Sequence, residues 1–555
     1  MTDPDAPTTK FRRFVFPALL VVLVLLLFRD VISHGFNSDD YLVVYHALYQ
    51  SPQDVKVALT SFAEPTWGLY YRPLIKMFFE MLARLFGAWP RGYHAVSIGS
   101  YAVLCLQVYF LTQLLCRQTS IAVSSTLVFM AASVHSEALF WISSLNGVVE
   151  NVLSLAALIC FIQWKKTASR QYYWLALFLF VCALFTKESA ISLPIVLAAY
   201  DFLLVNRPTG MRALKNTVRS CWSFALAGAL FVMLRALVMR QADLPPPLTS
   251  FGPRAMFDGI CYSLIMTLSP IDWALSLHWF DEFNKAGTVF FLISIILLLA
   301  CAILPLLLGR LRLAFLLAWI VAGSAPVLAL GLVPSERHVV FSSAGAAILV
   351  GLALSKPAKR LHRTGAAPAI VAVALAVLFS SASLYFLKQR QTIWKTASKT
   401  AAHLISQTIT AFPAPPNTTF FYLNVPDTMD GAFVFRFENL EYGLKLAYGN
   451  DSIEVVRVVS LDRIPPNALA TSQSAYFNIA AKGGNIFVPK ESLNEELTAR
   501  WEQIKAYGIL DKNPRYSNEW KRYEASPFFS YTGEGLLLMP PYRLRFILDE
   551  LYSLV

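Results

Sequence analysis

Charge is what this chain has least of. Only 15% of its 555 residues are Asp, Glu, Lys or Arg, where a soluble domain carries about 25%. With 56% hydrophobic residues and a mean hydropathy of +0.52, this excludes an ordinary soluble protein and places the chain in the membrane class. Cysteine is sparse as well. There are seven, none after Cys301, and no pair has metal-ligand spacing. They give no sign of a disulfide framework, and in apolar surroundings they act as small hydrophobes. Internal repeats are missing too, including any at the tetratricopeptide period of roughly 34 residues.

What is present is long apolar text with basic punctuation. The formal net charge of +12 would suggest nucleic acid in a soluble protein. In a membrane chain basic residues set the orientation of spans, so the expected partner is the lipid bilayer, with no nucleic acid. The first apolar run, 14–28, follows Lys10, Arg12 and Arg13 as in a signal peptide. Arg29, Asp30, Val31 and Ile32 follow it in place of a small-residue cleavage site. The run is therefore a retained first span with the N-terminus cytoplasmic. Further runs lie near 93–115, 121–135, 146–163, 171–186, 189–205, 220–238, 287–308, 313–332, 339–355 and 367–387. Together they predict about 11 transmembrane helices across a core of roughly 30 Å.

Alternation assigns to the cytoplasm the loops holding Arg117; Lys165, Lys166 and Arg170; Arg207, Arg212, Lys215 and Arg219; Arg310 and Arg312; and Lys356, Lys359, Arg360 and Arg363. These loops are nearly free of acid, as a positive-inside bias allows. The parity requires 254–272, with Arg254, Asp258, Pro270 and Asp272, to be interfacial or re-entrant. Two parts then lie outside: a first loop, 30–92, and the tail after about residue 388. In the tail Pro413, Pro415 and Pro416 mark a linker. Segments 418–425 and 452–459 read as strands and 495–507 as a helix. The expected layout is a transmembrane module, 1–388, and a small extracytoplasmic α+β C-terminal domain, 389–555.

Charges in or beside a membrane are costly, so each is a functional candidate. Asp39 and Asp40 follow the first span and could supply a general base or hold a divalent cation; the plain alternative is a helix cap. Tyr70-Tyr71-Arg72-Pro73-Leu74 opens a helix running to Phe86, with Lys76, Glu80 and Arg84 on one face. Arg72 could grip a phosphate bidentately or snorkel toward headgroups. His135-Ser136-Glu137 offers an acid/base pair or an interfacial polar pair. Glu150 lies inside an apolar run, where a carboxylate faces a cavity or partner. Lys187-Glu188 and Glu336-Arg337-His338 are charge clusters at outer span ends, either paired locally or facing an anionic substrate. Arg72, Lys187 and Arg337 could form one cationic site. Cations for a phosphate and a carboxylate base are what glycosyl transfer from a lipid-phosphate sugar requires.

In this order, the motifs resemble those of the GT-C superfamily of polytopic glycosyltransferases, and most closely its protein O-mannosyltransferase-like branch, without tetratricopeptide repeats. The matching text covers roughly residues 30–345. It comprises Asp39-Asp40, Tyr71-Arg72-Pro73-Leu74, His94, His135-Ser136-Glu137-Ala138 before Trp141-Ile142-Ser143, Lys187-Glu188-Ser189-Ala190 with Pro194 and Tyr200-Asp201, and Glu336-Arg337. The resemblance implies a polyprenyl-phosphate-linked sugar donor and a glycan, protein or lipid acceptor. It makes Asp39 the catalytic base, with Asp40 assisting or binding a cation. It gives Arg72, Lys187 and Arg337 the donor phosphate, with His94, His135, Glu137, Glu188 and Glu336 in support. No cofactor is called for beyond an optional divalent cation. Ala132 stands where the family often has a second histidine, Ser97 and Tyr101 where it has Asn and His, and His338 where it has Tyr.

Two other classes compete. A transporter or flippase of a lipid-linked glycan predicts inverted repeats and midplane charges such as Glu150. A membrane scaffold presenting the tail leaves the clustered charges unexplained. The absence of organelle signals points to a bacterial inner membrane with a periplasmic C-terminal domain.

Overall fold

The computed structural model describes residues 7–49, 70–208, 210–240, 253–271, 310–328, 335–361, 367–413, 419–423, 425–436, 438–460, 485–488, 528–531 and 536–539. The helices are α1 (Pro7–Phe28), α2 (Asp39–Tyr49), α3 (Pro73–Phe86), α4 (Pro90–Cys116), α5 (Thr119–Ala131), α6 (Ser136–Phe140), α7 (Leu145–Thr167), α8 (Arg170–Thr186), α9 (Leu193–Tyr200), α10 (Met211–Arg240), α11 (Pro253–Leu268), α12 (Leu311–Leu328), α13 (Val340–Leu361), α14 (Ala367–Ala411) and α15 (Asn439–Tyr448). Strands β1 (Thr419–Leu423), β2 (Thr428–Met429), β3 (Ala432–Phe433), β4 (Glu454–Ser460), β5 (Asn485–Val488), β6 (Phe528–Tyr531) and β7 (Leu536–Met539) occupy the tail.

This is a polytopic α-helical membrane protein. Among the described residues six helical segments are long and apolar enough to cross a bilayer, or seven if α5 and α6 are one bent span. Ten of the apolar runs read from the sequence coincide with helices; 287–308 lies outside the described residues, as does the helix expected at 495–507. Segments 171–186, 313–332 and 339–355 fall on shorter apolar helices.

Local chemistry explains the ends. Pro90 sits in the first turn of α4, where its missing N–H costs nothing. Arg117 and Ala168 close α4 and α7 in the left-handed conformation, at φ 54° and 57°. α5 and α6 meet at a bend of 55°, because Ala132 is extended at ψ 121°. The break leaves carbonyls without helical donors, and the Tyr101 hydroxyl lies 3.2 Å from Phe129 O and 3.0 Å from Met130 O. Helix α3 does not expose a uniform charged face: Lys76 is buried, Glu80 half-buried and Arg84 exposed.

The chain divides into two compact units, Met1–Ser33 with Pro52–Thr392, and His34–Ser51 with Ile393–Val555. The 45-residue α14 runs unbroken through the point where the sequence suggests a boundary. In the second unit a five-stranded sheet has the order β5-β4-β1-β6-β7. β1 pairs parallel with β4 and β6, and β7 turns antiparallel against β6. α2 belongs to this unit and packs on α15, with Gly443 so close to Tyr41 that a Cβ there would come within 3.4 Å of the ring.

Candidate functional site

The first unit gathers charge at the ends of four helices. Arg72 immediately precedes α3. Its Nε and Nη2 donate to the two carboxylate oxygens of Glu188 at 2.8 and 2.6 Å, a bidentate pair whose planar geometry suits guanidinium. Glu188 follows the C-terminus of α8, which ends because Lys187 is extended at φ −158°. Tyr70 stacks under Arg72, with its ring centroid 4.0 Å from the guanidinium carbon.

Arg337 forms the second pair. Its Nη1 lies 3.1 Å from Glu137 Oε2, and its backbone N–H donates to the same oxygen at 3.3 Å. Glu336 turns the other way. Its Oε2 accepts the Ser136 hydroxyl and, at 3.0 Å, the Glu137 N–H. The short motifs around Glu137 and Glu336, 199 residues apart, thus interlock.

Lys187 lies between these pairs. It is 4% exposed, and among the described residues its ammonium makes no hydrogen bond or ion pair. Burial and the nearby Arg72 and Arg337 push it down to about 8, while Glu150 and Glu188 pull the other way. The ammonium rests against the first turn of α7, where a Cβ on Gly147 would stand 3.1 Å from Nζ and 3.6 Å from Arg337 O. A side chain there would crowd the ammonium and leave the carbonyl at ordinary contact distance. Glu150, one turn on, accepts the Ser154 hydroxyl at 2.7 Å and the Ser189 hydroxyl at 3.2 Å. His338 is held neutral, well below its ordinary range, by burial and then by Lys187, Arg337 and Arg72. Its Nδ1 accepts the Ser335 N–H at 3.2 Å, which leaves the imidazole proton on Nε2.

The structure therefore brings Arg72, Lys187 and Arg337 into one electrostatic cluster, with Glu137, Glu188 and Glu336 as their neighbours. His135 is placed behind it. Its Nδ1 lies 2.7 Å from Tyr101 Oη and its Nε2 2.7 Å from Ser343 Oγ, so it ties the α5–α6 break to α4 and α13. His94 is buried on α4. Asp39 and Asp40 belong to the second unit. There Asp39 Oδ1 accepts Asn439 Nδ2 at 2.7 Å, and Asp40, fully buried, accepts the Asn37 N–H at 2.9 Å, a capping arrangement at the start of α2. Among the described residues no group of three or more His, Cys, Asp or Glu could hold a metal ion.

Sequence reasoning missed Gly147, the serines on Glu150 and the tautomer of His338. The positions where the motifs depart from the family have visible roles. Tyr101 is the hydrogen-bonding partner of His135 and Ala132 is the point of the bend.

No family model matches the chain, and no curated protein matches it in sequence. Among solved structures it is similar to ArnT from Cupriavidus metallidurans bound to undecaprenyl phosphate. The identity is 12% over 85% of this chain and 93% of that one, with a TM-score of 0.47. The apo state of the same protein gives 13% identity, 86% and 94% coverage and a TM-score of 0.47. The apo oligosaccharyltransferase of Archaeoglobus fulgidus gives 12%, 79% and 64%, with a TM-score of 0.45.

Proposed function

We propose that this protein transfers a sugar from a polyprenyl-phosphate-linked donor to an acceptor hydroxyl. One observation carries the proposal: three buried or half-buried cations converge, and the central ammonium of Lys187 has no hydrogen-bonding partner among the described residues. An ammonium on a largely buried side chain with no acceptor from the described residues is open to an anionic oxygen, and a phosphate oxygen supplies that acceptor. Arg72, Arg337 and the Nε2–H of His338 are the further donors. As the glycosidic bond to phosphate breaks, negative charge grows on the departing phosphate, and donors already oriented stabilise it without reorganising. The acceptor oxygen attacks the anomeric carbon and its proton passes to a carboxylate base. Asp39 is the proposed base on the motif series alone, with Asp40 beside it. The flippase alternative draws on Glu150 as a midplane charge; that carboxylate also acts on Lys187 of the cationic cluster.

The test is transfer or release of sugar from a panel of polyprenyl-phosphate sugars by the purified protein. Lys187→Met is expected to raise the donor KM, and Asp39→Asn to lower kcat on the order of 10³-fold, with both variants folded. Unchanged kcat in Asp39→Asn removes that residue from the chemistry. Absence of turnover with every donor, in the presence of glycan, protein and lipid acceptors, overturns the proposal.

A further inference from the structure

The cluster is not simply cationic. Its three cations, Arg72, Lys187 and Arg337, stand among four carboxylates, Glu137, Glu150, Glu188 and Glu336. Counted as ions, these groups carry one net negative charge before any ligand arrives. On the proposed reading of the site, the donor brings a phosphodiester with one more. Like charges brought together out of water disfavour each other steeply. A proton on one carboxylate is the smallest change that restores the balance.

Hydrogen-bond partners decide which carboxylate can take it. Both oxygens of Glu188 are engaged by Arg72. Glu137 accepts the guanidinium and backbone N–H of Arg337. Glu336 accepts the backbone N–H of Glu137 as well as the Ser136 hydroxyl. Each of these three carboxylates thus holds at least one obligatory N–H donor, which cannot turn round to accept a proton. Glu150 differs. It is 4% exposed, and its partners are two serine hydroxyls, Ser154 and Ser189. A hydroxyl donates to a carboxylate and accepts from a carboxylic acid by rotating, so Glu150 keeps its partners in either state. No guanidinium loses its counter-ion when Glu150 is neutral.

We propose that Glu150 takes up a proton as the site takes the phosphate of its donor, making donor binding proton-coupled. The inference rests on the function proposed above. The charged groups acting on Glu150 are Lys187, Glu188 and Arg72; Arg337 and His338 act on Lys187. An added anion favours the protonated form, so affinity rises as pH falls. Lys187, pushed down to about 8 by burial and Arg72, titrates in a higher window, and work below pH 7.5 keeps it mostly charged.

The experiment is calorimetric titration of the full-length protein in detergent with farnesyl methyl phosphate, a diester that stays monoanionic. It is run between pH 6 and 7.5 in buffers of differing ionisation enthalpy. The wild type is expected to take up protons on binding, and its affinity to weaken with rising pH by up to about tenfold per unit at full linkage. Glu150→Gln is expected to take up none, to show a flat profile and to bind about tenfold more tightly than the wild type at pH 7.5, having lost a nearby negative charge. Glu150→Met is a second, apolar route to the same result should the glutamine variant fail to fold. Equal uptake in wild type and variants, or none in the wild type, overturns the inference. Failure of the wild type to bind the diester at any pH counts instead against the proposed function.

Discussion

Replacing Arg72 by Met is expected to cost this protein both stability and transfer, whereas Glu188→Gln costs stability alone. The two side chains are 15% and 22% exposed and joined bidentately, with the shorter contact at 2.6 Å. Removing either partner leaves the other's charge desolvated and uncompensated, a loss of about 3 kcal/mol. The double variant Arg72→Met/Glu188→Gln carries no unpaired charge and should recover most of that loss. Transfer divides differently. Arg72 is a proposed donor to the phosphate, so its removal lowers kcat/KM on the order of 10²-fold, as loss of one preorganised donor does. The double variant stays at that low level although its stability has returned. Glu188→Gln leaves the guanidinium in place and keeps transfer near the wild-type value. Thermal unfolding in detergent and kcat/KM for a polyprenyl-phosphate sugar, measured on all three variants, separate the two effects. Recovery of transfer in the double variant would remove Arg72 from substrate recognition and leave it a structural ion.

This pairing shows where sequence reasoning stops. Spans are legible because lipid demands long apolar helices with internal backbone bonding, and each described apolar run became a helix for that reason. The charged motifs were legible one by one, since an ion near lipid stands out. Their partners were not. Arg72 meets Glu188 across 116 residues, Arg337 meets Glu137 across 200, and Ser38 in the first loop donates its N–H to Val434 in the tail. Contacts of that span depend on how helices pack, and neither hydropathy nor spacing records it. Gly147 was invisible for a related reason. Its value lies in the missing Cβ opposite Lys187, and in the sequence it is only a glycine near the start of an apolar run. Departures from a family pattern were also uninformative until seen in place. Tyr101 at an expected histidine still meets His135, with its hydroxyl 2.7 Å from the imidazole.

A second buried ion pair lets charge for structure be told from charge for function. Asp201 is fully buried at the start of a π-helical turn, Asp201–Asn206, that continues α9. Its Oδ1 lies 2.6 Å from Lys165 Nζ, and its Oδ2 accepts Asn206 Nδ2 at 2.7 Å. Lys165 also donates to Ser220 at 2.6 Å and sits 4.4 Å from the Trp164 ring centroid. Every donor here already has an acceptor, in contrast to Lys187. Lys165 and Glu150 lie on the same helix, fifteen residues and so about 22 Å apart. This network ties α7, α9 and α10 together at the end away from the proposed site. Asp201→Ala is therefore expected to destabilise the protein by about 2–3 kcal/mol, because a half-buried ammonium loses its carboxylate and a half-buried amide loses one of its two acceptors. Lys165→Met in the same chain should return part of the loss, since a methionine fills the lysine's volume without its charge. Donor affinity and kcat, measured per folded molecule at a temperature where the variant remains native, should stay within about twofold of the wild type, the two sites being too far apart to share partners. Unfolding midpoints from a detergent melt, beside those activities, decide it. A midpoint unchanged by Asp201→Ala would mean that water already compensates Lys165. A tenfold loss of activity with the fold intact would mean that the two ends of α7 are mechanically coupled, and that the ion pair at one sets the position of Glu150 at the other.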